Sequence, residues 1–231
     1  MKVGPRPLLL LALILAAVFT RLGFWQLSRL SEKRADNAEL ASRAVAPSLP
    51  ISGLPTDTAN AHYRRVSVQG DYDYANEIVL TLRSRDGSPG VNIVTPVRLP
   101  STDTAVLVVR GWVYSPNGMT VDLTRWREGQ QLNGSGFVET YPPARDGHNL
   151  SPTHPDAYRW LDRRELEKRF HYPLKPYYVV LTSPQEDTTK DTPPRLNVPP
   201  MDEGPHKSYA LQWFSFAAIS IIGTILFLRR K

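Results

Sequence analysis

The stretch YALQWFSFAAISIIGTILFL, residues 209–228, contains twenty consecutive residues without a charged side chain. Each residue of an α-helix rises by about 1.5 Å, so as a helix this stretch would be about 30 Å long. That length matches the hydrocarbon core of a lipid bilayer. The stretch therefore predicts a transmembrane helix, which we place at 206–228, and it makes the lipid bilayer one expected partner of the chain.

A second apolar stretch, PLLLLALILAAVFTRLGFWQL at 7–27, lies near the N-terminus and is interrupted by a charge only at Arg21. It predicts another transmembrane helix at 8–29, which continues as a polar helix to about residue 43. The alternative is a cleaved signal peptide, because basic residues precede the apolar core. No small-x-small cleavage site follows that core, which favours an uncleaved anchor.

Positive charge is concentrated beside the two apolar stretches. The chain has 28 Lys and Arg residues against 22 Asp and Glu residues. Residues 31–207 hold 21 of the basic residues and all 22 acidic ones, so the middle of the chain is nearly neutral. It has no basic patch of the kind that binds phosphates, and we expect no nucleic-acid partner. The seven remaining basic residues are Lys2, Arg6, Arg21, Arg29, Arg229, Arg230 and Lys231.

The basic tail 229–231 favours a cytoplasmic C-terminus by the positive-inside rule. Two spans then place residues 1–7 in the cytoplasm as well. We therefore predict a multi-pass protein of the cell membrane with both termini cytoplasmic and an extracytoplasmic main domain. Three basic residues that follow the first span argue for the opposite orientation: Arg29, Lys33 and Arg34. The sequence has no cysteine, which excludes disulfides and thiolate-ligated metal sites.

The middle of the chain, 44–182, has the composition of β-strands. Segments rich in Val, Ile, Thr and Tyr alternate there with turn-forming residues. They predict a mostly-β (α+β) domain, an antiparallel sheet or small barrel, with one short helix at 160–170. A linker rich in proline and acidic residues, 183–205, returns the chain to the membrane. The predicted strands are 63–73, 77–85, 91–99, 105–114, 129–141 and 177–183, with a turn at 86–90 between the second and the third.

The sequence contains no nucleophile elbow, phosphate-binding loop or dinucleotide fingerprint. We therefore expect that the protein is not an enzyme. A metal site formed by His148 and His154 with Asp146 or Asp156 is a less favoured alternative, because loop histidines at irregular spacing rarely form one.

Polar and aromatic side chains gather where the two predicted helices would leave the membrane. On the second helix, a neutral imidazole at this level can coordinate haem iron, and nearby aromatic rings can pack on the macrocycle. The alternative is an interfacial belt, in which aromatic residues anchor the helices, arginines reach the headgroups and the histidine is solvated. The residue spacing leaves both readings open. The residues concerned are Trp25, Gln26, Arg29, His206, Tyr209 and Trp213.

Four segments follow one another along the chain: GFWQLSRLSEKR (23–34), RSRDGSPGVNIVTPV (83–97), VLVVRGWV (106–113) and HKSYALQWFSFA (206–217). Their content and order resemble the surfeit-locus family of cytochrome c oxidase assembly factors. The two-span layout with a large outer domain agrees with that family. One difference is that many relatives carry Asn-Asn before the histidine of the last segment, whereas this chain has Gly204-Pro205.

The resemblance implies that the protein helps to assemble an aa3-type cytochrome c oxidase by transiently binding haem a and presenting it to the core subunit. It assigns the family's haem-associated histidine, a candidate iron ligand, to His206. It also suggests haem a synthase as a partner and Arg29 as the partner of a haem propionate. The residues that flank the histidine at the helix ends are Trp25, Gln26, Arg29, Tyr209 and Trp213.

The alternative function is a non-catalytic membrane scaffold, or an accessory subunit of the oxidase, that binds no haem. The Arg110-Gly111-Trp112 segment is expected to anchor a strand end, with a docking surface for the oxidase core as the second interpretation.

Overall fold

The computed structural model of the chain describes residues 5–143, 147, 149–151, 153–183 and 192–229. The chain divides into two compact units. One unit combines Met1–Glu39 with Pro200–Lys231, and the other comprises Leu40–Pro199. The helices are α1 Pro5–Val45, α2 Thr58–Ala61, α3 Arg163–Phe170 and α4 His206–Arg229. The strands are β1 Leu49–Pro50, β2 Arg65–Tyr72, β3 Ile78–Arg85, β4 Ser88–Arg98, β5 Ala105–Tyr114, β6 Gln131–Thr140, β7 Ala157–Tyr158 and β8 Tyr177–Leu181.

The first unit consists mainly of two helices that are long and apolar enough to cross a membrane, His206–Arg229 and Pro7–Val45, of which the last six residues belong to the second unit. The first helix ends shortly before Pro47, which cannot donate the backbone hydrogen bond that would continue it. Proline also immediately precedes the second helix, where the missing donor costs nothing.

The two long helices run antiparallel and pack closely. Small side chains are buried in their interface, which allows the backbones to approach. A Cβ atom on Gly23 would lie 2.5 Å from Cε1 of Phe214, so only glycine leaves room for that ring. Further along the pair, Phe19 stacks on Trp213 with ring centroids 5.7 Å apart. The buried residues of this interface include Ala12, Ala16, Leu30, Ala210 and Ala217.

The second unit is built on an eight-stranded sheet in the order β1-β2-β6-β8-β5-β4-β3-β7. An additional pairing of β2 with β4 closes five of these strands into a ring. All five strands of the ring contribute side chains to one buried apolar cluster. A second cluster lies against α3, whose Leu166 and Phe170 are buried in it. The second unit is therefore a small barrel with a helix packed on the sheet.

The sheet is mixed, and this corrects the prediction of an antiparallel sheet. Three pairings are parallel: β1 with β2, β3 with β7, and β5 with β8. The last of these brings together strands that are far apart in the sequence and lie side by side at the centre of the sheet. The turn expected at 86–90 is also shorter than predicted, because β4 already begins at Ser88 and only Asp86 and Gly87 connect the strands.

Part of the predicted linker 183–205 packs against the barrel unit in the residues that the structure describes. The backbone N–H of Trp112 donates to the carbonyl of Pro194 at 3.0 Å. Leu196 and Val198 pack against the cluster beneath α3. Residues 192–199 therefore belong to the barrel unit, because their apolar side chains complete its core.

Candidate functional site

The site begins with a hydrogen bond between the two long helices. Nδ1 of His206, the first residue of α4, lies 2.8 Å from Oε1 of Gln26 on α1. Gln26 is 9% exposed, so its amide is buried against the neighbouring helix. This arrangement accounts for a residue that an aromatic belt leaves unexplained, since the amide meets a partner helix.

The hydrogen-bonding chemistry of the two groups determines which nitrogen of the imidazole donates to Gln26. The side-chain oxygen of glutamine accepts hydrogen bonds and cannot donate them, so Nδ1 of His206 carries the proton. In the neutral imidazole Nε2 then keeps its lone pair, and it has no hydrogen-bond partner among the residues that the structure describes. A histidine held at Nδ1 by an acceptor, with Nε2 bare, is the usual arrangement of a metal ligand.

The turn before α4 holds the histidine in place. The backbone N–H of Gly204 donates to Oδ1 of Asp202 at 2.8 Å, and Gly204 has a φ of +70°. The carbonyl of Pro205 accepts from the backbone N–H of Tyr209 at 3.0 Å, which closes the first turn of the helix. A Cβ on Gly204 would lie 3.6 Å from Nε2 of His206. The glycine therefore both permits the turn and leaves the Nε2 side of the ring without a neighbouring Cβ atom.

The polar extension of α1 binds the same turn. Nε and Nη2 of Arg34 donate to the two carboxylate oxygens of Glu203 at 2.8 and 2.9 Å. The side-chain amide of Asn37 donates to the carbonyl of Asp202 at 3.1 Å. Such a two-pronged pair fixes geometry even where solvent limits its energy. These contacts secure the position of the turn beside Gln26.

The other residues predicted for the site do not gather around the imidazole. Trp213 lies deeper along the helix pair and stacks on Phe19. Trp25 and Tyr209 are 53% and 46% exposed. Arg29 donates to a carboxylate oxygen of Glu32 at 2.6 Å. The structure thus joins Gln26 to His206 by a hydrogen bond and shows no hydrogen bond from either of them to the other four predicted residues in the described part of the chain.

The less favoured metal site falls partly outside the described residues, which include His154 and Asp156 but neither His148 nor Asp146. Within the described ranges, no group of three or more His, Asp or Glu side chains could hold a metal ion.

Sequence reasoning missed several residues that build this site. Gly23 could have been noticed as a small residue in an apolar helix, where close helix contacts favour glycine. The pair of Arg34 and Glu203 gave no local signal, because 169 positions separate the two residues.

A second polar cluster lies inside the barrel unit. Arg110 is fully buried, and its Nη1 donates to Glu77 at 2.7 Å while its Nη2 donates to Glu128 at 2.9 Å. Arg195, from the segment that follows β8, donates to the same Glu128. Burial raises the pKa of the Glu77 carboxyl and that of the neighbouring Tyr72 phenol. With no exposed surface, Arg110 serves as an internal anchor and offers nothing to a docking partner.

The chain is similar to one protein family and to several known proteins. The sequence model of the SURF1 family matches residues 13–218. A SURF1-like protein of Rickettsia felis is 27% identical over 230 residues, with 96% of each chain covered. A SURF1-like protein of Rickettsia prowazekii is 26% identical over 221 residues, covering 91% of this chain and 85% of the relative. Surfeit locus protein 1 of Mus musculus is 31% identical over 173 residues, covering 67% of this chain and 54% of the mouse protein.

Proposed function

Because the chain belongs to the SURF1 family, a family of cytochrome c oxidase assembly factors, we propose that it binds haem a and presents it to the core subunit of an aa3-type oxidase. The family predicted from the four sequence segments is thereby confirmed. Haem a is the cargo in this proposal, and the protein acts on it without catalysis of its own. Haem a synthase is the expected donor of the cargo.

The observation that carries the proposal is the hydrogen bond from Nδ1 of His206 to Gln26. It leaves Nε2 available as an axial ligand for haem iron, at the start of an apolar helix. Haem a is amphiphilic, since its hydrocarbon tail favours lipid and its propionates favour water. A ligand at the end of a membrane-spanning helix suits both parts. A single histidine ligand also favours release, which an assembly factor must allow.

The flanking residues have proposed roles that follow from their positions. Trp25 and Tyr209 are exposed and can contact the ring or tail of the cargo without rearrangement of the helix pair. Trp213 supports the histidine-bearing end of α4 through its stack on Phe19. Arg29 can pair with a propionate in place of Glu32, because an exposed ion pair is weak enough to exchange.

The proposal also includes the location. Two helices long enough to span a bilayer support an integral protein of the cell membrane. The basic residues at the end of the chain favour cytoplasmic termini, which places the barrel unit and the start of α4 on the outer side.

Spectroscopy of the purified protein tests the proposal. The full chain is produced in cells that make haem a, and reduced-minus-oxidised spectra are recorded for wild type and for His206→Ala. We expect wild type to show an a-type signal and the variant to lose it by about tenfold or more. His154→Ala is the matched control, because this half-exposed loop histidine belongs to the other unit and should leave the signal unchanged.

Deletion of the gene tests the role in the cell. Selective loss of the a-type signal from the membranes, with b- and c-type signals retained, supports a role in oxidase assembly. If wild type binds no haem while the deletion still lowers the oxidase level, the scaffold function replaces the haem-binding one.

A further inference from the structure

Arg21 is the one charged residue of the apolar stretch 7–27, and the proposed function gives it no role. The fourteen residues that precede it in this stretch, 7–20, carry no charge. Arg21 also lies five residues before Gln26, which is about 7.5 Å deeper along the helix axis than the level at which His206 is held. A charge within the hydrocarbon layer is costly, and such residues almost always pair with another group and mark a functional site.

An apolar groove surrounds Arg21 on the surface of α1. It has a volume of about 630 Å³, and we call it the Arg21 groove. Its lining includes Val18, Leu22 and Trp25, which lie three positions before, one after and four after Arg21 and therefore share one side of the helix. The exposed ring of Phe24 completes the lining. The groove thus combines one cation with apolar walls.

The Arg21 groove faces away from α4. The residues of α1 that are buried in the helix interface recur every seven positions, at Ala16, Gly23 and Leu30. Arg21 precedes Gly23 by two positions, which corresponds to about 200° around the helix. In the described part of the chain, the guanidinium of Arg21 has no hydrogen bond or ion pair. The helix pair therefore leaves this cation without a counter-charge.

The geometry of α1 directs Arg21 into the membrane in the proposed topology. The Cα–Cβ bonds of a helix tilt towards its N-terminus, which for α1 is the cytoplasmic end. Trp25 lies one turn nearer to the outer headgroups on the same side of the helix, and it is 53% exposed. Its indole separates Arg21 from those headgroups. Extension of the guanidinium to the outer surface of the bilayer is therefore disfavoured.

The counter-charge has to come from another molecule within the hydrocarbon layer. The two predicted spans, 7–27 and 206–228, contain no Asp or Glu. A second copy of the chain would bring another arginine to the same groove and repel the first. Lipid phosphates lie at the headgroup level, and the haem propionates favour water. A carboxylate on a transmembrane helix fits, because it can form paired hydrogen bonds with the guanidinium while the apolar residues beside it pack on the walls of the groove.

We propose that the Arg21 groove binds a transmembrane helix of another membrane protein, which places an Asp or Glu carboxylate against Arg21. The inference rests on the membrane location in the proposed function. It does not depend on haem binding, because the groove and the hydrogen bond between Gln26 and His206 lie on different sides of α1. One side of α1 thus binds the partner while another supports the histidine.

Carbodiimide coupling in native membranes tests for the carboxylate itself. Arg21→Lys keeps the charge and introduces a primary amine. Dicyclohexylcarbodiimide enters the hydrocarbon layer and activates carboxylates there, so the amine forms an amide with a carboxylate that touches it. The tagged full-length protein is then purified, and mass spectrometry identifies whatever is joined to position 21. Wild type is the matched control, because carbodiimide does not couple a guanidinium to a carboxylate in this way.

We expect an adduct that joins the introduced amine to an Asp or Glu within an apolar segment of another protein. The same adduct should be absent from wild type. Failure to find any adduct at position 21 would overturn the inference. An adduct with a lipid, with haem or with a second copy of this chain would also overturn it, since each would identify a different occupant of the groove.

Arg21→Leu tests what the ion pair contributes to association. The variant removes a charge from an apolar stretch, so it should insert into the membrane at least as well as wild type. The protein identified by coupling is measured by immunoblot after purification in mild detergent. We expect its recovery to fall by about tenfold or more in Arg21→Leu and to be retained in Arg21→Lys. Recovery with Arg21→Leu at the wild-type level would count against the ion pair.

The a-type haem signal separates this inference from the proposed function. Both variants should keep the signal, because the substitution lies on the side of α1 that faces away from α4. A wild-type protein that binds haem but gives no adduct in Arg21→Lys would overturn the inference and leave the proposed function intact. Absence of haem from a wild-type protein whose Arg21→Lys variant gives the adduct would contradict only haem binding.

Discussion

Gln26 and His206 are 180 positions apart in the sequence, and a 2.8 Å hydrogen bond joins them across the two long helices. The amide oxygen fixes the imidazole tautomer and directs the lone pair of Nε2 away from the glutamine. In the proposed function, this hydrogen bond orients the histidine before the haem cargo binds. Its pairing with an uncharged acceptor also distinguishes it from His62, whose ring contacts the carboxylate of Glu139 at 2.7 Å.

Substitution of Gln26 tests this preparation. Gln26→Leu is similar in size and removes the acceptor. The single ring proton of the neutral imidazole is then no longer held on Nδ1 and can sit on Nε2 instead. We expect haem affinity to fall by about 10–100-fold, the usual effect of removing the partner of a metal-bound histidine. Titration of the purified protein with haem, followed by absorbance, measures the change. Gln26→Glu keeps an acceptor and should retain binding; equal affinity of wild type and Gln26→Leu would show that the hydrogen bond has no role.

The contact of Gly23 with Phe214 predicts a second way to disturb the site. In Gly23→Leu, the new side chain occupies the space of the Phe214 ring, so the helices must separate at this level. Since Gln26 lies one turn further along α1, we expect the hydrogen bond to His206 to break and haem binding to weaken. Gly223→Leu is the control, because no atom lies within 4 Å of a Cβ at that position. Similar haem titrations for both variants would contradict the prediction.

The pair of Arg34 and Glu203 positions the turn before His206. Both side chains are about half exposed, so solvent screens the pair and its loss should change the free energy of unfolding only slightly. Arg34→Glu should nevertheless lower the haem signal, because two carboxylates repel where a two-pronged pair held the turn. The combined variant with Glu203→Arg should restore it. An a-type absorbance per protein that is unchanged in Arg34→Glu would exclude a positioning role.

The sequence predicted the elements of this fold well, because each carries its own local signal. The strand expected at 105–114 is observed at Ala105–Tyr114, where Val, Trp and Tyr make up most of the residues. The helix expected at 160–170 begins at Arg163, since the side chain of Asp162 accepts from the backbone N–H groups of Arg164 and Glu165. Helix capping and β-propensity depend on residues that are neighbours in the sequence, so the sequence alone reveals them.

The relations between elements could not be predicted in the same way. The parallel pairing of β5 with β8 joins residues about 70 positions apart, such as Val108 and Val179, and hydrophobicity alone does not specify a partner. The candidate site shows the same limit. Gln26 and His206 were each recognised as unusual, but their hydrogen bond depends on the rotation of two helices, which small residues in the interface decide.

Removal of Arg110 should strongly destabilise the barrel unit. In Arg110→Met, Glu77 and Glu128 lose their shared cation while Glu77 stays buried. Breaking one side of a buried ion pair costs about 3–5 kcal/mol, because an uncompensated charge remains. Denaturant unfolding of the full chain in detergent, followed by the β-sheet circular dichroism, measures this. Arg125→Met is the control, as this arginine contacts the ring of Trp126 outside the buried cluster. A loss below about 1 kcal/mol would contradict the anchoring role.

Buried tyrosines predict a loss of stability at high pH. Burial raises the pKa of Tyr72, Tyr141 and Tyr178 in the folded protein, whereas an unfolded tyrosine ionises near pH 10. Each phenol therefore contributes stability that is fully present below about pH 10 and is lost as the pH rises towards its folded pKa. Each pH unit in that window costs about 1.4 kcal/mol per tyrosine.

Tyr141→Phe isolates this effect, because its buried phenol oxygen has no hydrogen-bond partner among the described residues. At pH 8 the variant should be more stable than wild type by about 1 kcal/mol, since an unpaired buried hydroxyl is removed. Between pH 10 and 11 its stability should also fall less steeply. Tyr114→Phe, at a phenol on the exposed surface, should follow wild type at both pH values. Equal pH slopes for wild type and Tyr141→Phe in denaturant titrations would show that Tyr141 ionises as readily in the folded barrel as in the unfolded chain.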